Sequence, residues 1–406
     1  MSIYLKHLTE KIVEFPTLPL ELWQLILDQS DLTMKLKIIQ VCKRFNNRLK
    51  ITDFYNIDDK YLKLLTDEIL LSYREIKYLK VLAESKITDH GLKHLFLHTL
   101  YAANNCKITD QGIKHMNLQV LYASSNKKIT DEGIKHMNLK ILHASNNNQI
   151  TDKGLENMNL QILHTCNNPN ITDVSLKHMD LEILYATFNT NITDEGLKHL
   201  HLTTLNVSNN LKITNEGIKH MDLKYLYISN NPFITDDGIK HMKLHTLYAA
   251  SESRITDRGI KDMDLHTLNV SNNPNITNAG IKHMNLNTLY VSNKSAITDD
   301  GIKHLKLQKL YASHNLHITD EALKDMTLDT LDASDNPSIT DNGIKHMNLK
   351  VLDASKNNKI TDKGIKHMQL QKLNANFNTY ITDDGIRNMV LSYLCAAFNG
   401  NITIKV

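Results

Sequence analysis

The chain has 406 residues, with 47 basic and 44 acidic side chains and a formal net charge of +3. That balance argues against a nucleic-acid partner held by a basic surface, and no apolar run approaches the roughly 20 residues that a membrane span requires. Four scattered cysteines, Cys42, Cys106, Cys166 and Cys395, have neither metal-site spacing nor a disulfide framework. They point to a reducing interior, the cytoplasm first and the nucleus as the alternative.

Residues 1–14 carry charges throughout and no apolar core, so they do not read as a signal peptide. Residues 15–50 are expected to be helical. Pro19 suits a first helical turn, and Leu18, Leu22 and Leu25 fall at helical spacing, with Ile26 widening the stripe. Asp31 is placed to cap a second helix, whose apolar stripe is Ile38, Cys42, Phe45 and Leu49. So short a helical piece cannot build its own core, so part of this surface must pack on the rest of the chain or on another protein.

The residues Leu18-Pro19-Leu20-Glu21-Leu22, Ile26-Leu27, Asp31-Leu32 and Val41-Cys42-Lys43-Arg44-Phe45 make this segment similar to an F-box. Within SDLTMKLKIIQ the leucines depart from the family pattern. The resemblance implies docking on the Skp1-like adaptor of a cullin ubiquitin ligase. By that resemblance Leu18, Pro19, Glu21, Leu22, Ile26 and Leu27 face the adaptor, helped by Val41, Cys42 and Phe45. The alternative is a helical cap for the repeats that follow. Residues 51–64 are expected to form a helical connector. Residues 65–86 read as a degenerate first repeat, with Ile76, Leu79 and Val81 in its strand slots.

From residue 87 to 401 one phrase returns every 21 residues, opening on Ile87, Ile108, Ile129 and so on to Ile381; a truncated end, 402–406, follows. The unit reads I-T-D-x-G-I-K-H-M-x-L-x-x-L-x-A-x-x-N-x-x. A fixed period of this length is the signature of a stacked array. The stretch LKILHASNNNQI (Leu139 to Ile150) resembles the leucine-rich-repeat core. The fold class is therefore α/β: a leucine-rich-repeat solenoid, with a parallel sheet on the concave face and short helical turns on the convex face, behind a small all-helical F-box-like domain.

Leu142 and Ala144 alternate with His143 and Ser145, which is strand periodicity, and Ile134 and Met137 share one face of a helical turn. Asp131 is expected to cap that turn, and Gly133 to serve an unusual backbone angle or a close approach. Asparagine fills the nineteenth slot of most repeats and should link successive coils. Glu252 and Lys294 interrupt it, and looser packing is expected there.

Two columns of polar or aromatic residues stand out. His136 belongs to a histidine column that includes His94, His115, His220, His241 and His367; it follows the repeat and is expected to be a solvated convex row. The slot after the second leucine holds Tyr101, Tyr122, His143, His164, Tyr185, Tyr227, Tyr248, Tyr290 and Tyr311, then Asp332 and Asp353. Tyrosine repeated on an exposed sheet suits a protein interface, and this column is the expected target-binding surface. Cross-strand stacking of the rings is the alternative. Phe188, Phe377 and Phe398 are expected further along the same strands. Asp329, Asp332, Asp335 and Asp353 gather near Lys350 and Lys356, which suits a partner with an apolar patch and a basic end.

No phosphate loop, catalytic constellation, cofactor motif or metal site is expected; His143, His164 and Cys166 are too few for one. The whole chain is similar to F-box/leucine-rich-repeat proteins, including those encoded by giant DNA viruses of amoebae. That resemblance implies a non-catalytic substrate-recognition subunit: a Skp1-like adaptor and cullin ligase at one end, and a target protein on the concave face. A repeat scaffold with no ubiquitin link is the alternative.

Overall fold

The computed structural model describes Gln24, Leu27, residues 51–73 and residues 75–404. It divides into two compact units, Met1–Leu139 and Lys140–Val406. Among the described residues no helix is long and apolar enough to cross a membrane.

Every repeat folds into one coil, and the coil from Ile234 shows how. Thr235 leaves extended backbone, and a single helical turn, Asp236–Ile239, follows. In most coils the threonine is the helix N-cap: the Thr256 hydroxyl, for example, accepts from the Arg258 amide. A turn this short cannot stand alone and is held by packing. Ile239, Met242 and Leu244 point inward and are buried. The chain then enters a three-residue strand, Thr246–Tyr248, whose Leu247 is buried along with Ala249. Repeated coil after coil, these slots form the apolar core of each unit.

In the unit Met1–Leu139, parallel strands Asp53–Phe54, Tyr78–Lys80, Thr99–Tyr101 and Val120–Tyr122 pair in sequence order. In the unit Lys140–Val406, strands from Ile141–His143 to Tyr393–Cys395 do the same. Register is set by the repeat: within each unit, from Leu79 onward, leucine sits opposite leucine, as in Leu79↔Leu100, Leu247↔Leu268 and Leu268↔Leu289. A slip of one residue would turn every inward leucine out to water.

The expected helical connector over 51–64 is in part a strand. Asp53–Phe54 pairs with Tyr78 and Leu79, and only Asp59–Leu62 is helical. Ile51, Phe54 and Leu62 are buried, so this segment packs as a coil of the same kind. Ile76, Leu79 and Val81 are buried.

Asp131 does not cap its own helix; Thr130 does, accepting from the Glu132 amide. The aspartate of each coil instead reaches the threonine of the next. Asp110 accepts from the Thr130 amide at 2.8 Å and from its hydroxyl at 2.7 Å. One threonine hydroxyl thus donates to a carboxylate and accepts from its own helix. Where the acid is an amide the arrangement fails. Asn215 donates to the Thr235 hydroxyl at 2.8 Å, and Asn278 to that of Thr298 at 2.8 Å. Thr235 and Thr298 are the ones left without a side-chain cap bond. This link also explains the glycine. A Cβ on Gly112 would lie 2.3 Å from Asp89 Oδ1, and no glycine among the described residues has a positive φ. Close approach is therefore its role, not an unusual angle.

The asparagine ladder forms as expected. Asn168 Nδ2 donates to the carbonyls of Ala144 (3.2 Å), Asn147 (2.8 Å) and Ile150 (3.1 Å), and its Oδ1 accepts from the Asn170 amide at 3.1 Å. At the interruptions a buried serine one residue later takes over. Ser253 and Ser295 accept from the amides of Ile255 and Ile297, each at 3.4 Å. The next asparagine then has fewer partners: Asn273 reaches only Ala249 at 2.8 Å and Ile255 at 3.4 Å.

Candidate functional site

Apart from Asp53–Phe54 the strands are three residues long, so each presents its first and third side chains to the open face of the sheet. The third position carries the tyrosine column. All of Tyr101, Tyr122, His143, His164, Tyr185, Tyr227, Tyr248, Tyr290, Tyr311, Asp332 and Asp353 are half-buried there, neither sunk in the core nor free of neighbours.

In the first unit Tyr101 and Tyr122 lie with ring centroids 5.4 Å apart. Tyr55 joins them, 6.4 Å from Tyr101 and 6.0 Å from Tyr122. Burial, then a hydrogen bond with Tyr55, pushes the Tyr122 hydroxyl up to about 12. Tyr55 follows the strand Asp53–Phe54 in the same slot as Tyr101. It lies in the segment 51–64, where the sequence predicts a helical connector and the structure forms a strand first.

In the second unit the column opens on a stack of planar rings. His143 and His164 are 3.8 Å apart, and His164 and Tyr185 4.3 Å apart. Ile141, Ile162 and Ile183 flank them at the first strand position. Burial holds both imidazoles down at about 4, with His164 adding to the effect on His143, so both are neutral at physiological pH. Tyr227 follows, then Tyr248 at 4.9 Å. Tyr290 and Tyr311 stack at 4.1 Å and 5°. The rings lean across the smaller residues between them: Tyr185 meets Tyr227 at 6.3 Å past Asn206, and Tyr248 meets Tyr290 at 5.6 Å past Asn269. A neighbouring row at the edge of the strands, Tyr225, His245 and His266, adds ring contacts of 5.6 and 4.8 Å that sequence reasoning missed.

The acidic residues divide into two kinds. Asp329 pairs with Lys350 at 3.0 Å, and Asp335 lies 3.2 Å from His314. Asp332 and Asp353 have no ion pair among the described residues. Each is braced by the serine two residues on, Asp332 by Ser334 and Asp353 by Ser355. Burial, opposed by the Ser334 hydrogen bonds, pushes Asp332 up.

Phe188, Phe377 and Phe398 do not continue the strands. They occupy the turn before the ladder asparagine, with φ of 58° in each case. Phe377 and Phe398 stack at 4.6 Å, with Lys356 Nζ 5.9 Å from the Phe377 ring.

The histidine column is bonded rather than simply solvated. His136 Nε2 is 3.0 Å from the Met116 carbonyl, His241 Nε2 3.1 Å from that of Met221, and His367 Nε2 2.8 Å from that of Met347. A ring N–H closes the open carbonyl at the end of the preceding helical turn. Among the described residues no group of three or more His, Cys, Asp or Glu could hold a metal ion. Of the adaptor-facing candidates, Leu27 is helical and fully buried. Leu18, Pro19, Glu21, Leu22, Ile26, Val41, Cys42 and Phe45 lie outside the described residues.

Comparison with known proteins agrees on the repeat. The family model described as leucine-rich repeat matches residues 135–159, 198–221, 219–242 and 345–368. No curated protein matches. Among solved structures the chain is similar to one in the crystal structure of the Rad7 and Elc1 complex in yeast, at 15% identity and a TM-score of 0.45, covering 97% of this chain and 96% of that one. It is also similar to one in the crystal structure of the TLR13–ssRNA13 complex, at 16% identity and a TM-score of 0.44, covering 87% of this chain and 64% of that one.

Proposed function

We propose that this leucine-rich-repeat scaffold is the non-catalytic substrate-recognition subunit of a cullin-type ubiquitin ligase. The F-box-like segment, through Leu18, Pro19, Glu21, Leu22, Ile26 and Leu27 with Val41, Cys42 and Phe45, docks on a Skp1-like adaptor. The open sheet face holds the target protein in the cytoplasm or nucleus. The observation that carries the target half is the tyrosine column. Its half-buried rings contact one another, as Tyr227 does Tyr248 and Tyr290 does Tyr311, and each keeps part of its surface open to solvent. Rings of this kind bring large contact area with few torsions to freeze. The adaptor half is supported by the residue pattern alone.

A second reading keeps the scaffold and drops the ligase. It is favoured by Leu27, which is fully buried within the chain itself, as a cap residue would be. Co-expression of the full chain with a Skp1-type adaptor separates the two. The ligase reading expects co-purification that Leu22→Asp with Ile26→Asp abolishes. Co-purification unaffected by those changes, or none at all, leaves the capped scaffold.

A further inference from the structure

The open sheet face of the second unit has a finer period than the repeat. Every third strand, the tyrosine column is broken by a smaller polar residue: Asn206, then Asn269, then Asp332. Between the breaks lie the pairs Tyr227–Tyr248 and Tyr290–Tyr311.

The two amides are oriented and half-satisfied. Asn206 Oδ1 accepts from the Ser208 amide at 3.1 Å and from the Thr187 hydroxyl at 3.0 Å. Asn269 Oδ1 accepts from the Ser271 amide at 3.0 Å. Each Nδ2 is thereby the free end, and neither has a partner among the described residues. Asp332 makes the same turn, its Oδ1 accepting from the Ser334 amide at 2.9 Å and hydroxyl at 2.6 Å, which leaves Oδ2 without a partner. The third notch therefore offers an acceptor where the first two offer donors. Asp353 stands on the next strand, its Oδ2 accepting from Asn374 Nδ2 at 2.8 Å. Asp329 pairs with Lys350 and Asp335 lies within hydrogen-bond distance of His314 Nδ1, whereas among the described residues no cation pairs with Asp332 or Asp353.

We propose that this face, from Tyr185 to Asp353, takes an extended segment of a basic polypeptide laid across the strands. Its apolar side chains rest on the tyrosine pairs, its main-chain carbonyls accept from Asn206 and Asn269, and a lysine or arginine meets Asp332 and Asp353. The proposal rests on the target-binding reading and names the target's chemistry. Spacing favours an extended segment. Three strands at about 4.8 Å make about 14 Å between notches, which is about four residues of extended chain at about 3.4 Å each. A helix spends its carbonyls on itself except in its last turn, so it cannot offer one to each of two amides about 14 Å apart. Charge favours a basic segment: a cation stabilises two neighbouring, partly desolvated carboxylates, and a nucleic-acid backbone would be repelled.

The test is to pan a displayed library of twelve-residue random peptides on the full chain and measure affinities of labelled winners by anisotropy. The expected result is enrichment of lysine or arginine at one fixed position. Asp332→Asn with Asp353→Asn should then weaken binding about tenfold, and Asn206→Ala with Asn269→Ala about threefold or more. Thermal unfolding of each variant confirms the fold. No enrichment, or winners without a basic residue, overturns the proposal. If Tyr248→Ala and Tyr311→Ala leave binding intact, the sheet face is not the target site and both readings fall. If those changes abolish binding while the aspartate changes do not, the face binds and only the chemistry assigned here falls.

Discussion

The histidine and tyrosine columns look alike in the sequence: each repeats every 21 residues, and each consists of residues that do chemistry elsewhere. Their surroundings differ. Each histidine of the convex column whose bond is described holds a carbonyl of a neighbouring coil, as His241 holds Met221 at 3.1 Å. The tyrosine rings rest on each other, and the Tyr227 hydroxyl makes no hydrogen bond among the described residues, although its carbonyl accepts from the Val207 amide at 2.9 Å like any strand residue. One column fastens coil to coil; the other is a surface. Periodicity reports that a residue is part of the unit, and only its hydrogen bonds report whether the unit depends on it.

The largest effects test the linking side of that comparison. Leu226 is fully buried, and Leu226→Ala should destabilise by about 2–5 kcal/mol in urea unfolding, in proportion to the cavity left. Asn168→Ala strips three carbonyls of their donor and should cost about 2–4 kcal/mol, with faster amide exchange at Asn170.

A test by pH reads the stacked rings of the open face. His143 and His164 titrate near 4 when folded and near 6.5 when unfolded. Between those values the unfolded chain takes up protons that the folded chain refuses. Stability is therefore full above pH 6.5 and falls as pH drops toward 4. Discounting for their partial exposure, the loss is on the order of 2–3 kcal/mol for the pair. Urea midpoints at pH 7 and 4.5 measure it, and His143→Phe with His164→Phe should flatten the difference while keeping the stack.

Smaller still is His136→Ala. The sequence suggested a neutral change; its bond to the Met116 carbonyl raises the expected loss to about 0.5–1.5 kcal/mol. A change below 0.3 kcal/mol in urea unfolding would erase the contrast between the columns. The smallest effect is Tyr227→Phe. It should leave stability within about 0.5 kcal/mol of the parent, since the hydroxyl holds nothing in the fold. Loss of target affinity without loss of stability would place that hydroxyl in the interface.

Much of the fold could be read in advance because its rule is local. Inward slots, strand alternation and the asparagine ladder all recur at fixed offsets within one coil. What escaped was whatever links one coil to the next. Asp131 looked like a cap because aspartate and threonine both cap helices well, and local sequence does not choose between Thr130 and Asp131. The role of its column emerges only when Asp110 meets Thr130, twenty residues on. The left-handed turn escaped too, because the residues holding it are as unlike as Asn104, Phe188, His314 and Lys356, and never glycine. Tyr55 was missed because a two-residue strand in an irregular coil has no periodicity to announce it.

By itself, then, the sequence determined the coil: its length, its six inward positions, its register, and which columns face out. A 21-residue period with apolar residues at fixed offsets permits one stacking, since any slip turns leucine to water. Tertiary structure alone decided what the outward columns do. Whether a histidine is bonded, a glycine crowded or an aspartate left without a cation depends on atoms one coil away, and the distance between coils is set by the packed core.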